Sequence, residues 1–106
     1  MKAIDETLLQ TVTQRLVAEF QPEQVWLYGS HAWGKPNDDS DVDLFVIVPE
    51  SNETPISRSQ RAHRCLRGLR MPKDVLVETR SEVDRVKESK TSLENTILSR
   101  GRRLYG

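Results

Sequence analysis

The sequence predicts an α/β fold in which a small mixed β-sheet is packed by helices. Three short apolar runs, at 25–28, 42–48 and 74–79, have the length and β-branched content of strands. Stretches with helical spacing of their apolar residues precede, separate and follow these runs. Strands separated by helices are typical of an α/β domain. With 106 residues, the chain is expected to form one domain spanning 1–106.

The first half of the chain predicts two helices and two strands. Residues 5–20 form an amphipathic helix, which Pro22 ends, since apolar side chains recur there at helical spacing. A buried strand at 25–28 is followed by a short helix at 30–33 and a polar loop at 35–40. The nearly continuous apolar run at 42–48 predicts a central strand that is covered on both faces.

The second half predicts a further strand between helices. After a loop at 49–55, residues 56–70 form a helix on which Ala62, Cys65, Leu66 and Leu69 share one face. The strand at 74–79 follows. Ser81 with Asp84 predicts a variant capping box that begins another helix, and a last helix at 93–99 stops before Gly101.

Composition and charge restrict the class of protein. The chain is 36% hydrophobic and 30% charged, which is typical of a globular domain. No apolar run approaches the ~20 residues of a membrane span, no secretory signal is recognisable, and the single cysteine, Cys65, cannot form an internal disulfide. A cytoplasmic protein is therefore expected.

The net charge of zero hides a strong asymmetry along the chain. Residues 1–53 carry 3 Lys/Arg against 10 Asp/Glu, whereas residues 54–106 carry 13 against 6. This pattern favours one acidic region that attracts metal ions and one basic face, and disfavours a uniformly nucleic-acid-binding protein.

Asp41 and Asp43 are the strongest candidates for a functional site. They begin the central strand, and residues two apart in a strand point to the same face. Two convergent carboxylates repel each other unless a positive group lies between them. A hard divalent cation such as Mg²⁺, which also shares phosphate oxygens with nucleotides, is the natural partner.

Gly29 and Ser30 supply the complementary half of such a site. They follow the strand at 25–28 directly and predict a tight turn that offers backbone N–H groups and a hydroxyl to phosphate. If the strand at 74–79 lies beside the central strand, Asp74 completes a three-carboxylate cluster, which is suited to two metal ions. Together these residues predict a site for a metal-bound nucleoside triphosphate.

Simpler interpretations exist for most of these residues. Ser30 can merely cap a helix, and Asp74 can be a charge on an edge strand. Glu78, on the same strand face as Asp74, is expected to be solvated, with support of a ligand as the alternative. His31 is expected at the surface or at a helix cap, with a role as a base or phosphate contact as the alternative. Trp33 is expected in the core, with stacking on adenine as the alternative.

Arg58, Arg61, Arg64, Arg67 and Arg70 recur at every third position of the helix at 56–70. At 3.6 residues per turn they spread around the helix and form no single stripe. A solvated helix, on which arginine stems cover apolar surface, is the first interpretation. A docking face for an acidic partner is the second, and an RNA-binding patch, without interleaved aromatic residues, is the third.

These motifs resemble the DNA polymerase β nucleotidyltransferase superfamily. Gly29-Ser30, ten further residues, Asp41-Val42-Asp43 and Asp74 on a later strand match its signature. The small size, with Gly34, Ser40 and the closing Leu104-Tyr105, is similar to its minimal nucleotidyltransferase branch, the antitoxin half of HEPN–MNT toxin–antitoxin pairs. The resemblance covers about residues 5 to 106.

The resemblance implies a polymerase β-like fold and a Mg²⁺-dependent transfer of AMP from ATP to a hydroxyl, expected to be a tyrosine, of a partner HEPN toxin. Asp41 and Asp43 are then expected to bridge two Mg²⁺ ions, and Asp74 to bind the ion nearest the incoming hydroxyl. Gly29 and Ser30 are expected to hold the β- and γ-phosphates. Complexes with the toxin are expected; binding to nucleic acid or membrane is not.

Two other functions are compatible with the same motifs. The chain can neutralise a toxin by covering its active site, with the carboxylates retained but idle. It can also transfer a nucleotide to a small molecule such as an aminoglycoside, although a single small domain offers little surface for a dedicated small-substrate pocket.

Overall fold

A computed structural model describes residues 4–37 and 39–106, and it confirms the α/β class with a small mixed sheet. None of the helices in these residues is long and apolar enough to cross a bilayer. The helices are α1 (Glu6–Phe20), α2 (Ser30–Trp33), α3 (Pro55–Cys65), α4 (Arg80–Val86) and α5 (Leu93–Arg100). The strands are β1 (Gln24–Tyr28), β2 (Val42–Val48), β3 (Lys73–Thr79) and β4 (Arg102–Tyr105).

The sheet has the strand order β3-β2-β1-β4. Strands β2 and β3 are parallel, whereas β1 pairs antiparallel with both β2 and β4. The central position of β2 explains why six of its seven residues, all but Asp43, are buried. The mixed pairing places the start of β2, the start of β3 and the end of β1 at one edge of the sheet.

Two apolar clusters cover the two faces of the sheet. On one face, α1 and α3 pack against alternate residues of the three longer strands, including Leu27, Leu44 and Val75. On the other face, Val83 of α4 and Ile97 of α5 pack with Phe45 and Ile47. Because side chains alternate along each strand, the second face also carries Asp43 and Asp74 at the sheet edge.

Three details differ from the sequence-based prediction. The helix expected at 56–70 runs only over Pro55–Cys65, because the chain then turns through Gly68, whose φ of 91° is left-handed. The capping box of α4 is formed by Thr79 and Glu82, so the expected Ser81–Asp84 box is wrong by two residues. The short strand β4 was not predicted, since two arginines in four residues give no strand-like alternation.

The interpretation of all five arginines as solvated is wrong for Arg58. Its side chain is only 3% exposed, and its guanidinium donates to both carboxylate oxygens of Glu82 at 2.7 and 3.0 Å and to the carbonyl of Val77. Glu82 also accepts the backbone N–H of Thr79. This network fastens α3 to the end of β3 and the start of α4.

Arg61 is also engaged, because its guanidinium lies 4.4 Å from the centre of the Phe20 ring and pairs with Glu19 and Glu53. Arg64, Arg67 and Arg70 are exposed, as expected, although Arg67 and Arg70 lie beyond the end of α3.

Glu82→Gln should lower the free energy of unfolding. It should also remove the part of the pH dependence of that free energy that arises from Glu82 below about pH 4.5. The hydrogen bonds from Arg58, followed by the one from the Thr79 backbone, lower the pKa of Glu82 from 4.5 to about 2. The stabilisation by the ionised carboxylate is therefore complete above about pH 4.5 and is lost as the pH falls toward 2. We expect a loss of about 1–3 kcal/mol at pH 7 in urea denaturation, because a buried cation loses a charged partner.

The matched control is Glu88→Gln at an exposed position. Equal unfolding free energies for the two variants at pH 7, with the same dependence on pH below 4.5, would contradict a structural role for the Arg58–Glu82 pair.

Candidate active site

The centre of the candidate site is a row of three side chains that crosses the sheet. In the register of the strands, Asp43 lies opposite Tyr28 on one side and Asp74 on the other. Directly opposite residues point to the same face, and neighbouring strands lie ~4.8 Å apart. The strand pairing therefore brings Asp43 and Asp74, which are 31 positions apart in the sequence, next to each other.

A backbone contact fixes this alignment where the two parallel strands begin. The N–H of Val42 donates to the carbonyl of Pro72 at 2.8 Å. The Pro72-Lys73 segment that leads into β3 is thereby tied to the first residue of β2. Asp74 is consequently held level with Asp43 by backbone hydrogen bonds, with no side-chain ion pair needed for the alignment.

Asp41 lies just before β2, at the end of a loop ordered by hydrogen bonds. The hydroxyl of Ser40 accepts the N–H of Asn37 at 2.9 Å, and the N–H of Ser40 donates back to the carbonyl of Asn37. The Nε2–H of His31 donates to the carbonyl of Ser40 at 3.2 Å. These contacts connect α2 to the residue that precedes Asp41.

Gly29 forms a sharp turn between β1 and α2, beside Asp43. Its φ of 75° and ψ of −157° lie in a region used almost only by glycine. A Cβ at this position would collide with Oδ2 of Asp43 and lie 3.1 Å from its Cγ. The Gly29-Ser30 turn and the Asp43 carboxylate are therefore in direct contact.

Ser30 is the first residue of α2, a helix of one turn. The carbonyl of Gly29 accepts from the N–H groups of Ala32 and Trp33. N–H groups at the very start of a helix have no intrahelical acceptor, so those of Ser30 and His31 are candidates for an anionic ligand. Together with the Ser30 hydroxyl, they provide the donors that the sequence predicts for a phosphate.

The two aspartates of the row, together with Asp41 beside them, place several negative charges close together. Burial raises the pKa of Asp43 above its usual range, and the neighbouring carboxylates of Asp74 and Asp41 raise it further, while His31 opposes them. None of the ion pairs among residues 4–37 and 39–106 involves these three aspartates.

The donor set fits a hard divalent cation. Carboxylate oxygens are the ligands that Mg²⁺ prefers, and Mg²⁺ also keeps water and phosphate oxygens in its shell. Within the described part of the chain, no group of three or more His, Cys, Asp or Glu side chains is already arranged to hold a metal ion. An ion would therefore complete its coordination with substrate oxygens and water, as is usual for nucleotide-bound Mg²⁺.

Tyr28 belongs to the row, although sequence reasoning treated it only as the end of an apolar run. It is 8% exposed. Burial raises its pKa to about 12, and the negative charges of Asp43, Asp74, Glu78 and Glu94 contribute. The phenol therefore remains protonated at neutral pH and forms a wall of the site. Its position directly before Gly29, on the face shared with Asp43, was the available signal.

His31 and Trp33 lie close to the row but differ in what they do. His31 is half-buried, and its Nδ1 is buried without a partner, so it occupies neither a helix cap nor the open surface. Trp33 is half-buried and packs 6.3 Å, centre to centre, from the Tyr28 ring, as expected of a core residue. The exposed guanidinium of Arg100 covers the Trp33 ring at 4.9 Å.

The expectation that Glu78 is solvated is wrong. It is half-buried, and its Oε1 has no hydrogen-bond partner in the described structure. Burial, a hydrogen bond with Glu94 and the charge of Glu94 raise its pKa to about 8. Glu78 lies about 13 Å along β3 from Asp74, at ~3.3 Å per residue, so it is not part of the carboxylate row.

Four cavities of the described structure lie away from the carboxylates. One of about 270 Å³ lies between α1 and β4, and another of about 490 Å³ lies on the outer side of α3. Two further depressions, of about 210 and 340 Å³, surround the Glu50–Glu53 loop. None of these four has Asp41, Asp43 or Asp74 in its lining, and Asp41 and Asp74 are exposed, so the carboxylates lie at an open sheet edge.

Comparisons with known proteins point to the same chemistry. The family model described as "Polymerase beta, Nucleotidyltransferase" matches residues 10–106, a range that contains the whole row and the Gly29-Ser30 turn. A crystal structure of a candidate nucleotidyltransferase from Sulfolobus solfataricus is similar, with a TM-score of 0.59 and 26% identity over 76% of this chain and 72% of that one. No curated protein matches at a significant level.

Gly29→Ala should destabilise the protein more than Gly68→Ala. Both glycines have positive φ, but a Cβ at Gly68 meets open space, whereas one at Gly29 meets the Asp43 carboxylate. We expect about 1–2 kcal/mol for Gly68→Ala and a larger loss for Gly29→Ala in urea denaturation. The excess should shrink when both glycine variants are compared in an Asp43→Ala background, because only the clash with the carboxylate is removed, and an unchanged excess would contradict the contact.

Asp74→Asn should lower the pKa of Asp43. After burial, the charge of Asp74 is the largest factor that raises this pKa, and the neutral amide removes it. Carboxyl ¹³C NMR titration of Asp43 measures the effect. Glu78→Gln, on the same strand but about 13 Å from Asp74, is the control and should leave the pKa unchanged. An Asp43 pKa that is the same in all three proteins would show that the two carboxylates do not interact.

Proposed function

Since the chain belongs to the polymerase β nucleotidyltransferase family, we propose that it transfers AMP from ATP to a tyrosine hydroxyl of a partner HEPN toxin. Nucleotidyl transfer itself is the activity of the family. The observation that carries the proposal is the Asp43–Asp74 pair, with Asp41 beside it and the Gly29 turn against it.

The roles of the residues follow from their chemistry. Asp41 and Asp43 would hold two Mg²⁺ ions, and Asp74 would supply a further carboxylate ligand on the side of the incoming hydroxyl. Gly29 and Ser30 hold the β- and γ-phosphates through backbone N–H groups and a hydroxyl. When bound, Mg²⁺ neutralises charge on phosphate oxygens and favours the deprotonated form of a hydroxyl beside it.

The chain's own groups position the reactants and accept the proton. A tyrosine hydroxyl has a pKa near ~10 and is protonated at neutral pH. The proton passes to the Asp74 carboxylate as the tyrosine oxygen bonds to the α-phosphorus. The bond from the α-phosphorus to the bridging oxygen breaks on the opposite side, and pyrophosphate leaves with both electrons of that bond. Catalysis is thus mainly orientation and electrostatic stabilisation.

A protein acceptor suits the shape of the site. The row lies at an open edge of the sheet, and the four cavities described above do not include its aspartates. A small acceptor would need walls to orient it. A macromolecule brings its own surface, which favours a toxin in the same cytoplasm over an aminoglycoside-type substrate.

Neutralisation by binding alone is the second candidate function. It is favoured by one observation: among the described residues, no group of three His, Cys, Asp or Glu side chains is arranged to hold a metal ion. In this case the chain covers the toxin's active site, and the carboxylates are idle. Masking requires a stoichiometric complex and survives Asp41→Asn, whereas catalysis requires only small amounts of the protein and leaves a modified toxin.

Asp43→Asn should abolish nucleotidyl transfer without unfolding the protein. The neutral amide is a poor ligand for a hard cation and also relieves repulsion in the row. We would incubate the protein with Mg²⁺, ATP labelled on the α-phosphate and a lysate of the source cell. Label on a protein band is expected with the parent chain and a more than 100-fold lower level with Asp43→Asn.

Asp39→Asn is the matched control, because Asp39 is an exposed aspartate of the neighbouring loop. It should label like the parent. Full labelling by folded Asp43→Asn protein would overturn the metal assignment. No label from any variant, together with a stable complex recovered from the lysate, would favour masking.

A further inference from the structure

Helix α5 runs along the sheet toward the carboxylate row. Near its start, Glu94 lies close enough to Glu78, four residues beyond Asp74 on β3, to raise the pKa of that carboxyl. The eight residues of α5 span about 12 Å, and the stretch of β3 from Glu78 back to Asp74 spans about 13 Å. Ile97, in the middle of α5, packs with Phe45, which follows Asp43 by two residues. The far end of α5, at Arg100, is therefore level with the row.

The strand that follows α5 supports the same placement independently. Arg102 of β4 is the register partner of Leu27, and β4 runs antiparallel to β1. Going back along the chain from Arg102 thus means going forward along β1, toward Tyr28 and Gly29. Arg100, two residues before Arg102, therefore lies beside the end of β1, where the Gly29-Ser30 turn begins.

The guanidinium of Arg100 is held in place without using its donors. Its Cζ lies 4.9 Å from the centre of the Trp33 ring, in cation–π geometry. A cation–π contact does not occupy the N–H donors of a guanidinium in hydrogen bonds, so those of Arg100 stay available to a ligand. No ion pair of the described residues involves Arg100, although Asp43 and Asp74 lie at the same edge.

We infer that Arg100 binds the triphosphate of the nucleotide substrate and that Trp33 orients it for this contact. A guanidinium offers paired N–H donors that match two phosphate oxygens. Such charge-assisted hydrogen bonds are stronger than those between neutral groups. A site with three carboxylates needs positive charge beside the substrate as well as at the metal. The inference rests on the proposed function and adds to it a residue 26 positions after Asp74.

A simpler role for Arg100 makes a different prediction. A cation in the last turn of a helix is stabilised by the helix dipole. Any positive side chain fulfils that role, so Arg100→Lys would then be neutral and phosphate affinity would not depend on the position. If the planar guanidinium of Arg100 instead binds phosphate through paired N–H groups, Arg100→Lys should retain only part of the affinity for phosphate.

The test measures binding by isothermal titration calorimetry, a readout that does not depend on Arg100 itself. Tripolyphosphate and ATP are titrated, each with Mg²⁺, into the parent protein and into its Arg100→Ala and Arg100→Lys forms. Arg64→Ala is the control, because exposed Arg64 lies on α3, against the opposite face of the sheet. Thermal melting verifies the fold of each variant.

We expect Arg100→Ala to lower the affinity for both ligands at least about tenfold and Arg100→Lys to lower it less. Arg64→Ala should leave the affinity unchanged. Equal affinity in the folded Arg100→Ala and Arg64→Ala proteins would overturn the inference, even where labelling with ATP proceeds normally. Binding that depends on Arg100 in a protein that transfers no label would uphold the inference and overturn the proposed transfer. A parent protein that binds neither ligand would overturn both.

Discussion

The parallel register of β2 and β3 is the constraint on which the candidate site depends. It sets Asp43 opposite Asp74, and the hydrogen bond from Val42 N–H to the Pro72 carbonyl fixes where the ladder begins. A shift by one residue would turn one of the carboxylates to the other face of the sheet. The same register sets Val75 and Val77 into the core beneath α1 and α3, so apolar packing and the site reinforce a single alignment.

The apolar packing has to offset the repulsion within the row. Asp43 is half-buried beside two other carboxylates. Its pKa is raised because burial and these negative charges destabilise the ionised form. The buried cation Arg58 is neutralised by Glu82. The aspartates of the row have no such partner among the described residues, and unpaired carboxylates of this kind are typical of a functional site that a ligand completes.

Much of the fold was predictable from local patterns. The helical spacing of Leu9, Val12 and Leu16 and the apolar run of β2 define α1 and the central strand, and both elements have their predicted bounds within a residue. The end of α3 was not predictable, because Arg67 and Leu69 continue a helical pattern through a turn that Gly68 permits. Strand β4 depends on pairing with β1, which its own four residues do not reveal.

The candidate site, like the fold, was predictable only in part from the sequence. Sequence reasoning identified the spacing of Gly29-Ser30 and Asp41-x-Asp43 and proposed Asp74, since each lies at the end of a strand. It missed Tyr28 and Arg100, because their importance comes from register and from the path of α5. It misjudged Arg58 and Glu78, whose burial results from helix–sheet packing that spacing along the chain does not encode.

The measurement that tests the central claim most directly is a crystal structure of the protein with Mn²⁺ and a non-hydrolysable ATP analogue. Manganese has an anomalous signal and shares the preference of Mg²⁺ for oxygen ligands. The account predicts anomalous density among Asp41, Asp43 and Asp74, with the phosphates against Gly29 and Ser30. Nucleotide and manganese bound elsewhere, with the three aspartates in contact only with water, would contradict it.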